Sequence, residues 1–268
     1  MSFAYQFGFI GMGNMGYAIL KGLLHRYSPE DVVFSARNKE KMADVTAKTN
    51  VVPAFNNVKC AENSKYLVLA VKPQQFDTVI QEIKSVITGE QVIISIAPGI
   101  SIENLQGRFG KKCRIVRAMP NTPALVGEGM TAVSYDGKQF TDEEQKTIRS
   151  LFESFGKMVL VEEKLMDAVV CASGSSPAYV YLFIEALADS AVKYGIPRAM
   201  AYELVAQTVL GSAKMVLETG EHPGKLKDQV CSPGGTTIAA VSALEEYGMR
   251  NAVIKATDAC YKKCTTIK

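Results

Sequence analysis

The sequence predicts an α/β fold in two parts: a doubly wound parallel sheet over residues 1–161 and an all-helical region over 162–268. Three observations predict it. Apolar strand-like runs alternate with helix-like runs through the first part. A glycine-rich turn directly follows the first strand and opens a helix. After Val161 the strand signals vanish and helical periodicity takes over.

In chain order, residues 5–10 form the first strand, followed by glycines and an apolar helix over 15–24. The next strand covers 32–36. Residues 66–71 and 92–97 are continuous apolar runs, the mark of strands covered on both faces. Residues 114–118 and 131–134 extend the sheet. Thr141-Asp142-Glu143-Glu144 is a capping box that starts a helix toward Phe155, and 158–161 is the last strand. In the second part, Pro177 opens a helix that runs to Tyr194, with Gly195 as its stop. Pro197 opens another that ends near Gly220. Shorter helices cover 224–230, 237–246 and 249–264. Ala178, Tyr179, Val180, Tyr181, Leu182, Phe183 and Ile184 run together, so this helix is apolar all round and needs burial on every side. A second subunit is the natural cover, which makes the helical region a dimerisation domain and the chain an obligate homodimer.

The bulk numbers exclude several classes. Apolar residues make up 47% of the 268, enough for a sizeable core, and the net charge of +3 is too small to point to nucleic acid or a membrane surface. No apolar stretch approaches the ~20 residues of a membrane span. The start shows no basic region ahead of an apolar one, so no signal peptide is expected. Six cysteines lie scattered without a Cys-x-x-Cys pair, and with only His25 and His222 no zinc set is expected. Reduced thiols in a cytoplasmic protein fit this pattern.

The glycine-rich turn reads Gly11-Met12-Gly13-Asn14-Met15-Gly16. Between a strand and a helix it has the form of a dinucleotide-binding loop. Gly11 makes the turn, Gly13 admits the pyrophosphate, and Gly16 lets helix and strand pack. About 20 residues on, an acid would select NAD by binding the ribose hydroxyls. The chain instead reads Phe34-Ser35-Ala36-Arg37-Asn38. Ser35 can donate a hydrogen bond, and Arg37 offers a planar cation suited to a 2′-phosphate. NADPH is the expected cofactor, with NADH a weaker substitute. Ala70-Val71-Lys72-Pro73 and Ala97-Pro98-Gly99 end two further strands, on the side where open α/β sheets bind ligands.

The helical region carries Asp228-Gln229-Val230-Cys231-Ser232-Pro233-Gly234-Gly235-Thr236-Thr237. Gly234 and Gly235 bare the backbone, and Thr236 and Thr237 fall where a helix begins, among unpaired N–H groups. Such a turn is either a plain helix cap or a cradle for a small anion. The segment resembles the signature of the pyrroline-5-carboxylate reductases, which make proline from a cyclic imine bearing a carboxylate. The glycine-rich loop, Ala70-Val71-Lys72-Pro73, Met119-Pro120-Asn121-Thr122-Pro123 and Ser173-Gly174-Ser175-Ser176-Pro177-Ala178-Tyr179 resemble family motifs in the same order. Where this chain has Ser176 the family often has glycine, which leaves open how tightly that loop turns.

The resemblance implies that Ala70, Val71, Lys72, Pro73 and Ala97 line the nicotinamide half, and that Asn56 lies beside the adenosine ribose. It also implies that the cradle of one subunit closes over the cofactor of its partner, with rings such as decamers as a further level of assembly. The implied reaction is NADPH-dependent reduction of 1-pyrroline-5-carboxylate to L-proline. The residues agree with a site that lacks a strong acid. His25 falls at the end of the first helix and His222 in a turn. The lysine that β-hydroxyacid dehydrogenases place on the first long helix of this region is missing. A protonated imine takes hydride without a strong acid, so polar groups suffice. Thr237 and Ser175 are the expected catalytic residues, and Gly234, Gly235, Thr236, Thr237 and Asn121 the expected substrate contacts. Reduction of a six-membered imine is a second reading. An NADP-binding sensor without catalysis is a third, and it leaves the second anion site unused.

Overall fold

The computed structural model describes residues 3–110 and 113–266. They divide into two compact units, one of residues up to Ser175 together with the last turns from Cys260, the other Ser176–Ala259.

The first unit is built on eight strands: β1 (Tyr5–Ile10), β2 (Val32–Ser35), β3 (Val52–Pro53), β4 (Ser64–Leu69), β5 (Val92–Ser95), β6 (Arg114–Met119), β7 (Gly129–Ser134) and β8 (Gly156–Leu160). Its helices are α1 (Asn14–Leu23), α2 (Lys39–Thr49), α3 (Asn57–Glu62), α4 (Phe76–Ile83), α5 (Ile102–Phe109), α6 (Asp142–Glu153) and α7 (Met166–Val169). The strand order is β3-β2-β1-β4-β5-β6-β7-β8, which reverses direction between β1 and β4. Every pairing is parallel except β6 with β7. That pair departs from the all-parallel expectation for a physical reason. Only a 3₁₀ turn, Thr122–Val126, joins the two strands, and a parallel return needs a longer crossover. The connection from β7 to β8 carries α6 and is parallel again.

The continuous apolar runs are explained by two cores, one on each face of the sheet. Phe7, Phe9, Phe34, Val68 and Ile94 pack with α1 and α6 residues such as Leu20 and Phe152 on one face. Ile10, Val33, Leu67, Leu69 and Ile93 pack with Ile80, Ile83 and Leu105 of α4 and α5 on the other. Alternate residues of each strand serve opposite cores, so neither set can be polar.

The capping box at Thr141 forms as expected, with Thr141 Oγ1 accepting from Glu144 N at 3.2 Å and Glu144 Oε2 from Thr141 N at 3.1 Å. Glu144 also accepts from Arg114 at 2.8 Å and pairs with Lys65 at 3.1 Å. Burial alone would raise its carboxyl, but the bonds from Arg114, the Thr141 main chain and Lys65 outweigh it and hold the group below its ordinary value. The stability Glu144 contributes is therefore present above an unfolded value near 4.5 and is lost as pH falls below it. Glu144→Gln should cost about 2 kcal/mol near neutral pH. Urea titrations of the two proteins should converge in acid; a constant gap across pH would contradict this account.

The composition shift at residue 162 and the packing boundary do not coincide. Met166, Val170 and Cys171 lie beyond the last strand yet are buried with the sheet unit, and so is Cys264 near the end of the chain. Strand periodicity stops where β8 stops, but the chain continues to pack on the sheet until Ser175.

The second unit contains α8 (Ser176–Lys193), α9 (Arg198–Thr219), α10 (Pro223–Val230), α11 (Thr236–Glu246) and the larger part of α12 (Met249–Thr266). Gly195 and Gly220 end α8 and α9 with φ of +95° and +65°, as glycine stops do. The unit's own core is a seam between α8 and α9 formed by Ala188, Ala201 and Val205. Leu182, Leu210, Leu217 and Ile254 remain more than half exposed. One subunit therefore leaves large apolar faces uncovered, as the all-round apolar α8 predicts. Among the described residues no helix is long and apolar enough to cross a membrane.

Candidate active site

The carboxyl ends of the parallel strands collect the nucleotide residues. Gly11, at the end of β1, has φ of +96°, and a Cβ there would lie 2.7 Å from the Ala70 carbonyl. A Cβ at Gly16 would lie 2.6 Å from the Gly11 carbonyl and 3.1 Å from Ala70 Cβ, so its hydrogen lets α1 dock against the loop after β4. At Gly13 a Cβ would meet nothing within 4 Å. That position opens onto the start of α1, where the N–H groups of Asn14 and Met15 have no acceptor among the described residues. Met12 is buried beneath the loop. An open glycine over unsatisfied N–H groups fits a pyrophosphate, so the residues present suit a dinucleotide. Gly13→Ala should leave stability within about 0.5 kcal/mol yet weaken nucleotide binding at least about tenfold. Gly16→Ala should lower stability itself by about 1–3 kcal/mol. Thermal melts beside nucleotide titrations separate the two.

At the end of β2, Arg37 is exposed and makes no hydrogen bond or ion pair with another described residue. Ser35 differs from its expected role as a donor. It is buried, and its single proton goes to Asn57 Oδ1 at 2.7 Å. Asn57 in turn donates to Glu82 Oε2 at 2.7 Å. Asn56 caps α3 by accepting from Lys59 N at 2.9 Å. After β4, Val71 and Pro73 are half-buried, Lys72 is exposed, and its carbonyl accepts from Gln75 N at 2.8 Å. Ala97, after β5, is buried. These ends flank the β1/β4 reversal, the place where such sheets bind ligands.

The loop after β6 joins the same edge. Asn121 is buried and both ends of its amide bind main chain: Nδ2 donates to the Ser173 carbonyl at 3.1 Å, and Oδ1 accepts from Met130 N at 2.8 Å. It thus holds the segment Val170–Gly174, a single π-helical turn closed by Ser175 N to the Val170 carbonyl at 2.8 Å. Such turns are frequent at functional sites. A side chain at Gly174 would strike Met119, at 2.7 Å. Ser175 Oγ accepts from Cys260 Sγ at 3.3 Å, a bond that does not use the serine's own proton. Cys171 bonds Cys260 as well, and burial followed by that contact pushes its thiol up to about 11. The cysteines scattered in sequence are thus partly gathered behind Ser175. Arg117, almost fully buried, pairs with Asp167 at 2.9 Å and Glu163 at 3.4 Å and ties β6 to this segment. Sequence reading singled out neither carboxylate.

In the helical unit, Gly234 has φ of +67°, and Gly235 N donates to the Ser232 carbonyl at 3.0 Å to close the turn. Gly235 is the N-cap of α11, so neither threonine serves as the cap. Among the described residues, the N–H groups of Thr236, Thr237 and Ile238 find no acceptor and neither threonine hydroxyl has a partner. His222 is the N-cap of α10, its Nδ1 accepting from Gly224 N at 3.0 Å.

A glycine loop at the start of α1, an exposed arginine just after β2 and strand ends around the sheet reversal point to an NAD(P)-dependent oxidoreductase. Comparison with known proteins agrees. Residues 6–99 match the family "NADP oxidoreductase coenzyme F420-dependent", and 163–267 match "Pyrroline-5-carboxylate reductase dimerisation". The pyrroline-5-carboxylate reductase of Escherichia coli K12 is 46% identical over 260 residues, covering 96% of each chain. That of Pisum sativum is 39% identical over 98% of this chain and 96% of its own. Plasmodium falciparum pyrroline carboxylate reductase, solved with NADP bound, superimposes with a TM-score of 0.89 at 33% identity, over 100% of this chain and 99% of that one. The chain belongs to the pyrroline-5-carboxylate reductase family.

Proposed function

We propose that the chain reduces 1-pyrroline-5-carboxylate to L-proline with NADPH, the last step of proline biosynthesis, through a site that uses no strong acid. The start of α11 carries this reading: three N–H groups and two hydroxyls without partners among the described residues stand behind a glycine turn, in a chain that also has a dinucleotide crevice. NADPH, when bound, supplies the hydride. The main-chain N–H groups of Thr236, Thr237 and Ile238, bared by the Gly234-Gly235 turn, hold the substrate carboxylate at the positive end of the helix. Thr237 bonds near the ring nitrogen and relays its proton through water. Ser175 O–H donates a hydrogen bond to the substrate and keeps its proton, and Asn121 keeps that loop in place. Gly11 to Met15, Ser35, Arg37, Asn56, Ala70 to Pro73 and Ala97 hold the nucleotide. The imine arrives protonated, so orientation at ~3–3.5 Å replaces acid catalysis as the main contribution.

The cradle of one subunit serves the nucleotide crevice of its partner, which makes the homodimer the catalytic unit in the cytoplasm and allows decamer rings of such dimers. Light scattering at micromolar concentration should find no monomer; a stable monomer would contradict the exposed apolar helices' role. The direct test follows NADPH absorbance with pyrroline-5-carboxylate, its six-membered homologue and 2-ketoacids. Turnover of the five-membered imine alone, or far above the others, is expected. Absence of turnover with any imine despite NADPH binding would overturn the proposal.

A further inference from the structure

The main chain around Ser175 is held at two points. Ser175 N closes the π-helical turn on the Val170 carbonyl at 2.8 Å, and Asn121 holds the Ser173 carbonyl at 3.1 Å. What remains is the hydroxyl rotor, which sets where the O–H points. Among the described residues one side chain bonds it. Cys260, in the last turns that pack with the sheet unit, donates from Sγ to Ser175 Oγ at 3.3 Å. The direction of that bond follows from the thiol behind it. The Asp167 carbonyl can only accept, and Cys171 Sγ donates to it at 3.5 Å. The Cys171 proton is thereby committed. Burial, then the contact with Cys260, keeps that thiol neutral by pushing it up to about 11. Cys260 is left between a sulfur and a hydroxyl oxygen. The oxygen is the better acceptor, so the Cys260 proton goes to Ser175. A serine that receives on this side carries its own proton on another.

We infer that Cys260 is a positioning residue for imine reduction: its thiol sets the Ser175 hydroxyl as a donor aimed away from the cysteines. The inference rests on the reading in which Ser175 bonds the substrate. Cys260 itself need touch neither substrate nor cofactor. A hydroxyl that turns freely must be ordered each time the transition state forms, whereas one already set by a neighbour avoids that cost. Without the thiol, Ser175 keeps its place in the backbone and loses its fixed orientation.

The test uses steady-state kinetics of the full-length protein with NADPH and pyrroline-5-carboxylate, beside NADPH titrations and thermal melts. Cys260→Ala should lower kcat/KM for the imine about three- to tenfold, the range of one neutral hydrogen bond, and leave NADPH affinity unchanged. Cys260→Ser keeps a donor at the same place and should restore kcat/KM to within about twofold of the parent. In a Ser175→Ala background Cys260→Ala should change nothing further, as a double-mutant cycle requires of an effect routed through that hydroxyl. An equal loss in that background, or no rescue by serine, overturns the inference, because the thiol would then act by packing alone. A second readout needs no cysteine variant and decides the matter if Cys260→Ala folds poorly. In the infrared difference spectrum between Ser175→Ala and the parent, one S–H stretching band should move to higher wavenumber as the thiol loses its oxygen acceptor. Unmoved thiol bands overturn the inference. If Ser175→Ala itself keeps parent kinetics, the proposed role of the serine falls and the inference with it. If Ser175→Ala is impaired and a well-folded Cys260→Ala is parent-like, only the inference falls.

Discussion

Thr237→Ala should lower kcat/KM for the imine about 100-fold and leave the NADPH dissociation constant unchanged. The magnitude is that of losing one positioned donor or proton relay in a transition state. The structure separates this from a stability effect. Gly235 is the N-cap and the Thr237 hydroxyl has no partner among the described residues, so its removal breaks no cap and no bond among them. Alanine is also the better helix former, so stability should stay within about 0.5 kcal/mol of the parent. Thr237→Ser keeps the hydroxyl and should keep most of the activity. Steady-state kinetics with a nucleotide titration decide the matter. Parent-like kinetics in the alanine variant would remove Thr237 from the mechanism.

Arg37→Asp should weaken NADPH binding by about 100- to 1,000-fold while changing NADH binding less than about threefold, which reverses the preference. Loss of a charge-assisted partner together with like-charge repulsion is worth several kcal/mol, and each 1.4 kcal/mol is tenfold. Arg37 is suited to so clean a test because it has no other employment: it is exposed and makes no bond or ion pair with a described residue. Added salt should weaken NADPH binding to the parent more than to the variant. Unchanged NADPH selectivity would show that the 2′-phosphate is held elsewhere.

What the sequence made legible follows from what leaves a local trace. The strands stood out because burial on both faces forbids polar residues, and the long helices because Pro177, Gly195 and Gly220 mark their ends. β3, two residues long, leaves no periodicity, and α3 spans under two turns. The antiparallel turn between β6 and β7 was readable only from the missing crossover helix. The glycine loop was visible because a local backbone shape demands it, and Arg37 because it stands at a fixed spacing from that loop. The partners of Ser35 were not: they lie 22 positions from Ser35 to Asn57 and 25 from Asn57 to Glu82. Distance in the chain likewise hid the pairing of Arg117 with Asp167 and Glu163, though Cys260 and Cys264 share a helix face at four-residue spacing.

The bond between Ser175 and Cys260 has a consequence for how such a chain can be built and rebuilt. The chain leaves the sheet unit just after Ser175 and rejoins it at Cys260, and these two side chains are 3.3 Å apart. The intervening helices are thus a cassette spliced into an uninterrupted parent, with its two ends at one point on the parent's surface. Insertions of that kind are tolerated where the termini meet. A short bridge from 175 to 260 should therefore release a self-standing nucleotide-binding protein, and the helical segment becomes a part that can be exchanged between relatives to graft one subunit interface onto another's crevice.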